Sequence, residues 1–254
     1  MTNLYDDARP TGDEEATFSG LPVPASAMTV GAHPDDAEFG AGGTLARWAA
    51  AGCEVTIVVL TDGSKGTWDE SLTTAELIDA RQREQARAAE ILGASRIIHL
   101  EHVDGELVYS MALREEVCRL IRTIRPQVVL GHDPWRRYML HPDHRAAGWG
   151  LIDGVVAARD HLFFPDQGLD KHRPEAMLLW QADETDHFED ISSTFDQKIR
   201  ALLCHSSQTT TTMGDANRSD VARRAFRERM QQLAARLGEP ANLPVAEAFK
   251  LIRP

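Results

Sequence analysis

Cysteine is scarce in this chain of 254 residues: there are three, at positions 53, 118 and 204. They are too few and too far apart for a disulfide framework or a Cys-x-x-Cys metal knuckle, and they read as reduced thiols of a cytoplasmic protein. Basic residues are outnumbered, 27 Lys and Arg against 39 Asp and Glu, for a formal charge of −12. That sign argues against nucleic acid and against an anionic membrane surface as partners, and favours small neutral or cationic molecules. No apolar run approaches the roughly 20 residues that span a bilayer. The acidic start Met1-Thr2-Asn3-Leu4-Tyr5-Asp6-Asp7 lacks the basic-then-apolar order of a secretory signal. A G-x-G-x-x-G run is missing too; Gly40, Gly42 and Gly43 are spaced differently and read as places where a helix packs closely, not as a dinucleotide cradle.

What is present is an alternation of short apolar runs with amphipathic stretches. At 43% hydrophobic the chain can bury a sizeable core. Residues 1–24, with Pro10, Gly12, Pro22 and Pro24 among acidic residues, predict an irregular arm, and residues 25–254 one domain. Strands are expected at Met28 to Val30, Val55 to Leu60, Arg96 to Leu100, Gln127 to Leu130 and Met177 to Trp180, with a last one at Val245 to Phe249. Helices are expected at Gly42 to Ala51, Thr74 to Leu92, Ala112 to Ile124, His144 to Ala158, Asp196 to His205 and Ser219 to Leu237. Buried strands alternating with helices predict an α/β fold, a Rossmann-like, mostly parallel sheet with helices on both faces.

Two polar clusters stand out against this background. Gly31-Ala32-His33-Pro34-Asp35-Asp36 follows the first strand, and His141-Pro142-Asp143-His144 follows the strand ending near Leu130. In open parallel sheets ligands sit beyond the carboxyl ends of the strands, so both clusters are expected at one rim. Two imidazoles plus one carboxylate form a common ligand set for a hydrolytic zinc that keeps a position open for water. His33 and Asp36, three apart, are able to face one metal, which leaves Asp35 free as a base. In the second cluster one imidazole suffices for the metal, and the other serves as acid or electrostatic catalyst. Tyr138, in the loop before that cluster, is a candidate for lining or closing the pocket.

These residues carry a family resemblance. The first cluster, continued by Gly42-Gly43-Thr44-Leu45-Ala46, and the second one resemble the two signatures of the LmbE-like (PIG-L) zinc-dependent N-deacetylases. Arg81-Gln82-Arg83-Glu84, Asp104-Gly105 and His205-Ser206-Ser207-Gln208 extend the likeness to most of the chain from Ala27 to Phe249. The resemblance implies an LmbE-like deacetylase fold and one Zn²⁺ per chain held by His33, Asp36 and His144. It implies Asp35 as general base, His141, protonated, as the imidazole that steadies the oxyanion or protonates the leaving amine, and Asp143 as the orienting partner of His141. Arg81 and Asp104 fall where relatives contact the sugar. The implied substrate is a small molecule with an N-acetylglucosamine unit, and a homo-oligomer is compatible with it. The alternatives are cleavage of a larger acyl group from a glucosamine conjugate, or a non-catalytic sugar- or nucleotide-binding domain. One departure is visible: Ala37 stands where many relatives place Glu, and Glu38 follows it.

Overall fold

The computed structural model describes residues 20–254, so most of the predicted N-terminal arm, residues 1–19, lies outside the described residues. A seven-stranded sheet organises the rest. Its strands are β1 (Ser26–Gly31), β2 (Glu54–Thr61), β3 (Arg96–His102), β4 (Val128–His132), β5 (Ala176–Trp180), β6 (His187–Asp190) and β7 (Ala246–Ile252). They lie in the order β3-β2-β1-β4-β5-β7-β6. The first five are parallel, and β7 runs antiparallel to both β5 and β6.

The helices are α1 (Asp36–Ala50), α2 (Thr74–Leu92), α3 (Met111–Ile124), α4 (Pro142–Ala158), α5 (Phe195–Leu202) and α6 (Asp220–Gly238). Local chemistry sets their ends. Thr73 and Glu76 form a capping box at the start of α2, and Gly93 closes it in the left-handed conformation. Helix α4 starts with Pro142 at a position that needs no N–H. Because both faces of the central strands are covered, their side chains are apolar on each side. Leu45, Trp48, Val55, Ile57, Leu92 and Leu178 pack on the face of α1 and α2, while Val30, Val58, Leu113, Val117, Leu151 and Val155 pack on that of α3 and α4.

From β1 the chain winds outward through β2 to β3, then returns to β4 on the other side of β1. Strands β1 and β4 are therefore paired neighbours, with Val30 beside Gly131, and their connections leave in opposite directions. This is the topological switch point where open α/β sheets form their clefts. Both polar clusters emerge there.

Two boundaries differ from the sequence reading. Helix α1 begins at Asp36, not Gly42, since the helix-weakening glycines lie inside it. A Cβ at Gly40 would sit 2.4 Å from the Trp180 ring, and one at Gly43 2.6 Å from Ile191, so the glycines do permit close packing. The second difference is β6, whose four residues His-Phe-Glu-Asp were too short and polar to register as a strand.

Candidate active site

The loop after β1 is pinned before it is functional. Asp35 is the N-cap of α1 with a φ of 107°, a left-handed conformation costly for a residue with a side chain. Two residues of α2 hold it: Gln85 Oε1 accepts from Asp35 N at 3.1 Å, and Arg81 Nη2 donates to Pro34 O at 2.7 Å. Arg81 also donates to Gly63 O at 3.2 Å and is buried. It thus braces the backbone around the site, besides lining the cavity beside it.

His33, Asp36 and His144 come together. His33 Nδ1 lies 3.2 Å from His144 Nε2 and 3.6 Å from Asp36 Oδ2, and His144 Nε2 lies 3.3 Å from Asp36 Oδ1. The other nitrogen of His33, Nε2, faces two carboxylates, Asp143 Oδ2 at 3.1 Å and Asp104 Oδ1 at 3.2 Å. Burial alone would push this ring down, but hydrogen bonds to Asp104, Asp143 and Asp36 outweigh it and hold it well above its ordinary 6.5. The ring is thus set to hold positive charge on the side facing His144, where a proton or a metal cation relieves the approach of two nitrogens. Zinc–nitrogen bonds of about 2.05 Å in a tetrahedron place ligand atoms about 3.3 Å apart, close to the spacings found. The donor set therefore fits a zinc ion.

Asp35 faces the same cavity of about 660 Å³, whose walls include His33, Asp36, Arg81, Asp104, His141 and His144. Burial raises Asp35 from 3.8 to about 6, against the opposing charge of Arg81, whose Nη2 is 3.9 Å away. Asp104 is held at about 2: burial alone would raise it, but the hydrogen bond and charge of His33, the Lys65 backbone N–H and the charge of Arg81 together outweigh burial.

Three expectations need revision. Asp143, expected to orient His141, instead spends its oxygens on His33 Nε2, on Gly105 N at 2.7 Å and on Leu107 N at 3.2 Å. Its link to His141 runs through the backbone: Asp143 N donates to His141 Nδ1 at 3.3 Å, which makes His141 the N-cap of α4. His141, expected to be protonated, is pushed below its ordinary value by burial and by the charges of His33 and His144, against Asp143 and Asp104. With Nδ1 accepting, the neutral ring carries its proton on Nε2. Tyr138, with a left-handed φ of 60°, stands 92% exposed and is not among the cavity walls.

Comparison with known proteins decides the family. The model of the PIG-L family, described as GlcNAc-PI de-N-acetylase, matches residues 28–153, a span that contains both polar clusters. Diacetylchitobiose deacetylase of Thermococcus kodakarensis is 40% identical over 179 residues, covering 69% of this chain and 67% of that protein. The chain belongs to the PIG-L family. A crystal structure of N,N'-diacetylchitobiose deacetylase from Pyrococcus horikoshii superposes with a TM-score of 0.82 at 29% identity, over 91% of this chain and 84% of that one. The family is not chemically uniform, since 4-oxalmesaconate hydratase of Pseudomonas putida is 30% identical over 203 residues, 72% of this chain and 74% of that protein.

In this PIG-L member one close contact of the site was not foreseen as functional. His132 ends β4, is fully buried, and places Nε2 3.0 Å from Asp36 Oδ2. The signal available was its position at the carboxyl end of the strand beside β1. Glu38, beside the Ala37 departure, is also buried and accepts from Gln85 Nε2 at 2.7 Å, so it supports the residue that holds Asp35.

Proposed function

We propose that this protein is a zinc-dependent N-deacetylase that hydrolyses the acetamide of an N-acetylglucosamine-containing small molecule, releasing acetate and a free amine. The observation that carries the reading is the convergence of His33 Nδ1, His144 Nε2 and Asp36 on one point beside Asp35 in a cavity large enough for a sugar. When bound there, zinc supplies Lewis acidity and brings the pKa of a water toward about 7. Asp35 takes the proton of the attacking water; partial desolvation makes it a stronger base than an exposed aspartate. His141 donates a hydrogen bond from Nε2 to the developing oxyanion. The amine leaves with the proton that Asp35 collected. Asp104 and Asp143 keep His33 in the ligand tautomer. Three unpaired thiols support a reducing compartment, the cytoplasm, as its place of action.

The test is metal analysis of the purified protein, with acetate assayed after incubation with diacetylchitobiose and other N-acetylglucosamine conjugates. About one zinc per chain and acetate release that a chelator abolishes are expected. A parallel series with longer N-acyl groups separates deacetylation from cleavage of a larger acyl chain. Water addition to 4-oxalmesaconate, with no acetate from any amino sugar, would overturn the reading in favour of the hydratase branch.

A further inference from the structure

His132 touches two of the three proposed ligands. Its Nε2 faces Asp36 Oδ2 at 3.0 Å, and its ring stacks on His144 with centroids 4.2 Å apart and planes 14° from parallel. On its other side Trp180 Nε1 lies 3.0 Å from His132 Nδ1. An indole N–H only donates. Nδ1 must therefore accept, which puts the proton of His132 on Nε2, aimed at Asp36. His132 and Trp180 are at most 1% exposed, so bulk water does not compete for these bonds.

The tautomer has a consequence for the metal. His132 lies with Asp36 and His144 in a group whose ligand atoms are within 4.8 Å of one another, so by distance alone it would pass for a ligand. With Nε2 protonated and Nδ1 accepting from Trp180, the ring has no lone pair left for a cation. Asp36 Oδ2 already accepts from His33 N at 2.7 Å as well as from His132. Only Oδ1 keeps free lone pairs on the His144 side. We propose that Trp180 and His132 form a hydrogen-bonded relay that presents Asp36 to zinc through Oδ1 alone and fixes the plane of His144. His132 is thus a positioning residue, a role that rests on the ligand assignment above.

The experiment measures zinc affinity of the full-length, metal-stripped protein by competition with a chromophoric chelator at fixed pH, with thermal melts as the check on folding. His132→Phe keeps a flat ring for stacking but loses the donor, and zinc binding is expected to weaken about 10- to 100-fold. His132→Gln places an amide donor near the Nε2 position and is expected to recover most of that loss. Trp180→Phe frees the tautomer and is expected to weaken binding by up to about 10-fold. Wild-type affinity in both His132→Phe and Trp180→Phe, alongside a weakened His33→Ala, would overturn the relay and leave the ligands in place. Wild-type affinity in His33→Ala would instead bring down the ligand assignment and the relay with it. If His132→Phe does not fold, Trp180→Phe decides: weaker zinc supports the relay and unchanged zinc refutes it.

Discussion

Helix α1 touches two buried charge clusters, one at its first turn and one near its middle, and they are built differently. At the middle, Lys198 Nζ meets Glu247 Oε1 at 2.5 Å and donates to Phe39 O at 2.8 Å. The two oxygens of Glu247 accept from Gly43 N at 2.9 Å and Thr44 N at 2.8 Å. Charges cancel, and each charged group has found donors or acceptors. At the first turn, Asp35, Asp36, Asp104 and Asp143 crowd four histidines and Arg81, two imidazole nitrogens point at each other, and the N-cap is in a left-handed conformation. Both clusters bury charge, so burial by itself does not mark function. The difference is closure: the middle cluster is complete within the chain, whereas the first-turn cluster leaves two ring nitrogens facing each other, as a site for the proposed cation would, and opens on a cavity.

That contrast predicts opposite responses to substitution. The largest effect is expected in the open cluster. Asp35→Asn keeps shape and removes the base, so kcat should fall about 10²- to 10⁴-fold while zinc content stays at the wild-type level. Normal turnover in this variant would remove Asp35 from the mechanism. The closed cluster should answer in stability. Lys198→Met leaves Glu247 buried without its cation and is expected to cost about 3–5 kcal/mol in urea unfolding, with kcat/KM of the folded protein within about twofold. Loss of zinc at unchanged stability would show that the two clusters are one unit.

Much of the first-turn cluster was legible because its chemistry is local. His33, Asp35 and Asp36 lie within four residues, His141 and His144 likewise, and the alternation of apolar runs was enough to put both groups at strand ends. Asp143 shows where that legibility stops. Its neighbour in sequence is His141, but the pairing of β1 with β4 brings His33 within 3.1 Å of its carboxylate, and Gly105 and Leu107 add backbone donors from the β3–α3 loop. A sequence window holds none of these contacts. His132 and Trp180 are hidden for the same reason, being 48 residues apart and joined only where β4 pairs with β5. Lys198 and Glu247 were invisible as a pair, since neither belongs to a motif and their partners lie in α1. The start of α1 was missed because glycines that weaken a helix locally are repaid by close packing on Trp180 and Ile191.

The smallest expected effect sharpens the comparison by making one residue act in both directions. If the first-turn cluster is left open by the chain alone, the ionised Asp35 should destabilise the metal-free protein. Burial raises its carboxyl from 3.8 to about 6 in the folded state. Between those values the folded protein holds a proton that the unfolded chain has lost, so stability falls as pH rises from about 4 to about 6 and stays low above that. At about 1.4 kcal/mol for each pH unit, the ionised carboxylate costs about 3 kcal/mol above pH 7. Asp35→Asn carries no charge at any pH. In the metal-stripped protein it is therefore expected to melt roughly 6–10 °C above wild type at pH 8, with the gain shrinking toward zero near pH 4. Thermal melts of the two stripped proteins across that range check the sign. A variant less stable than wild type at pH 8 would mean that Asp35 is held by favourable contacts, and that the first-turn cluster is as closed as the one around Lys198.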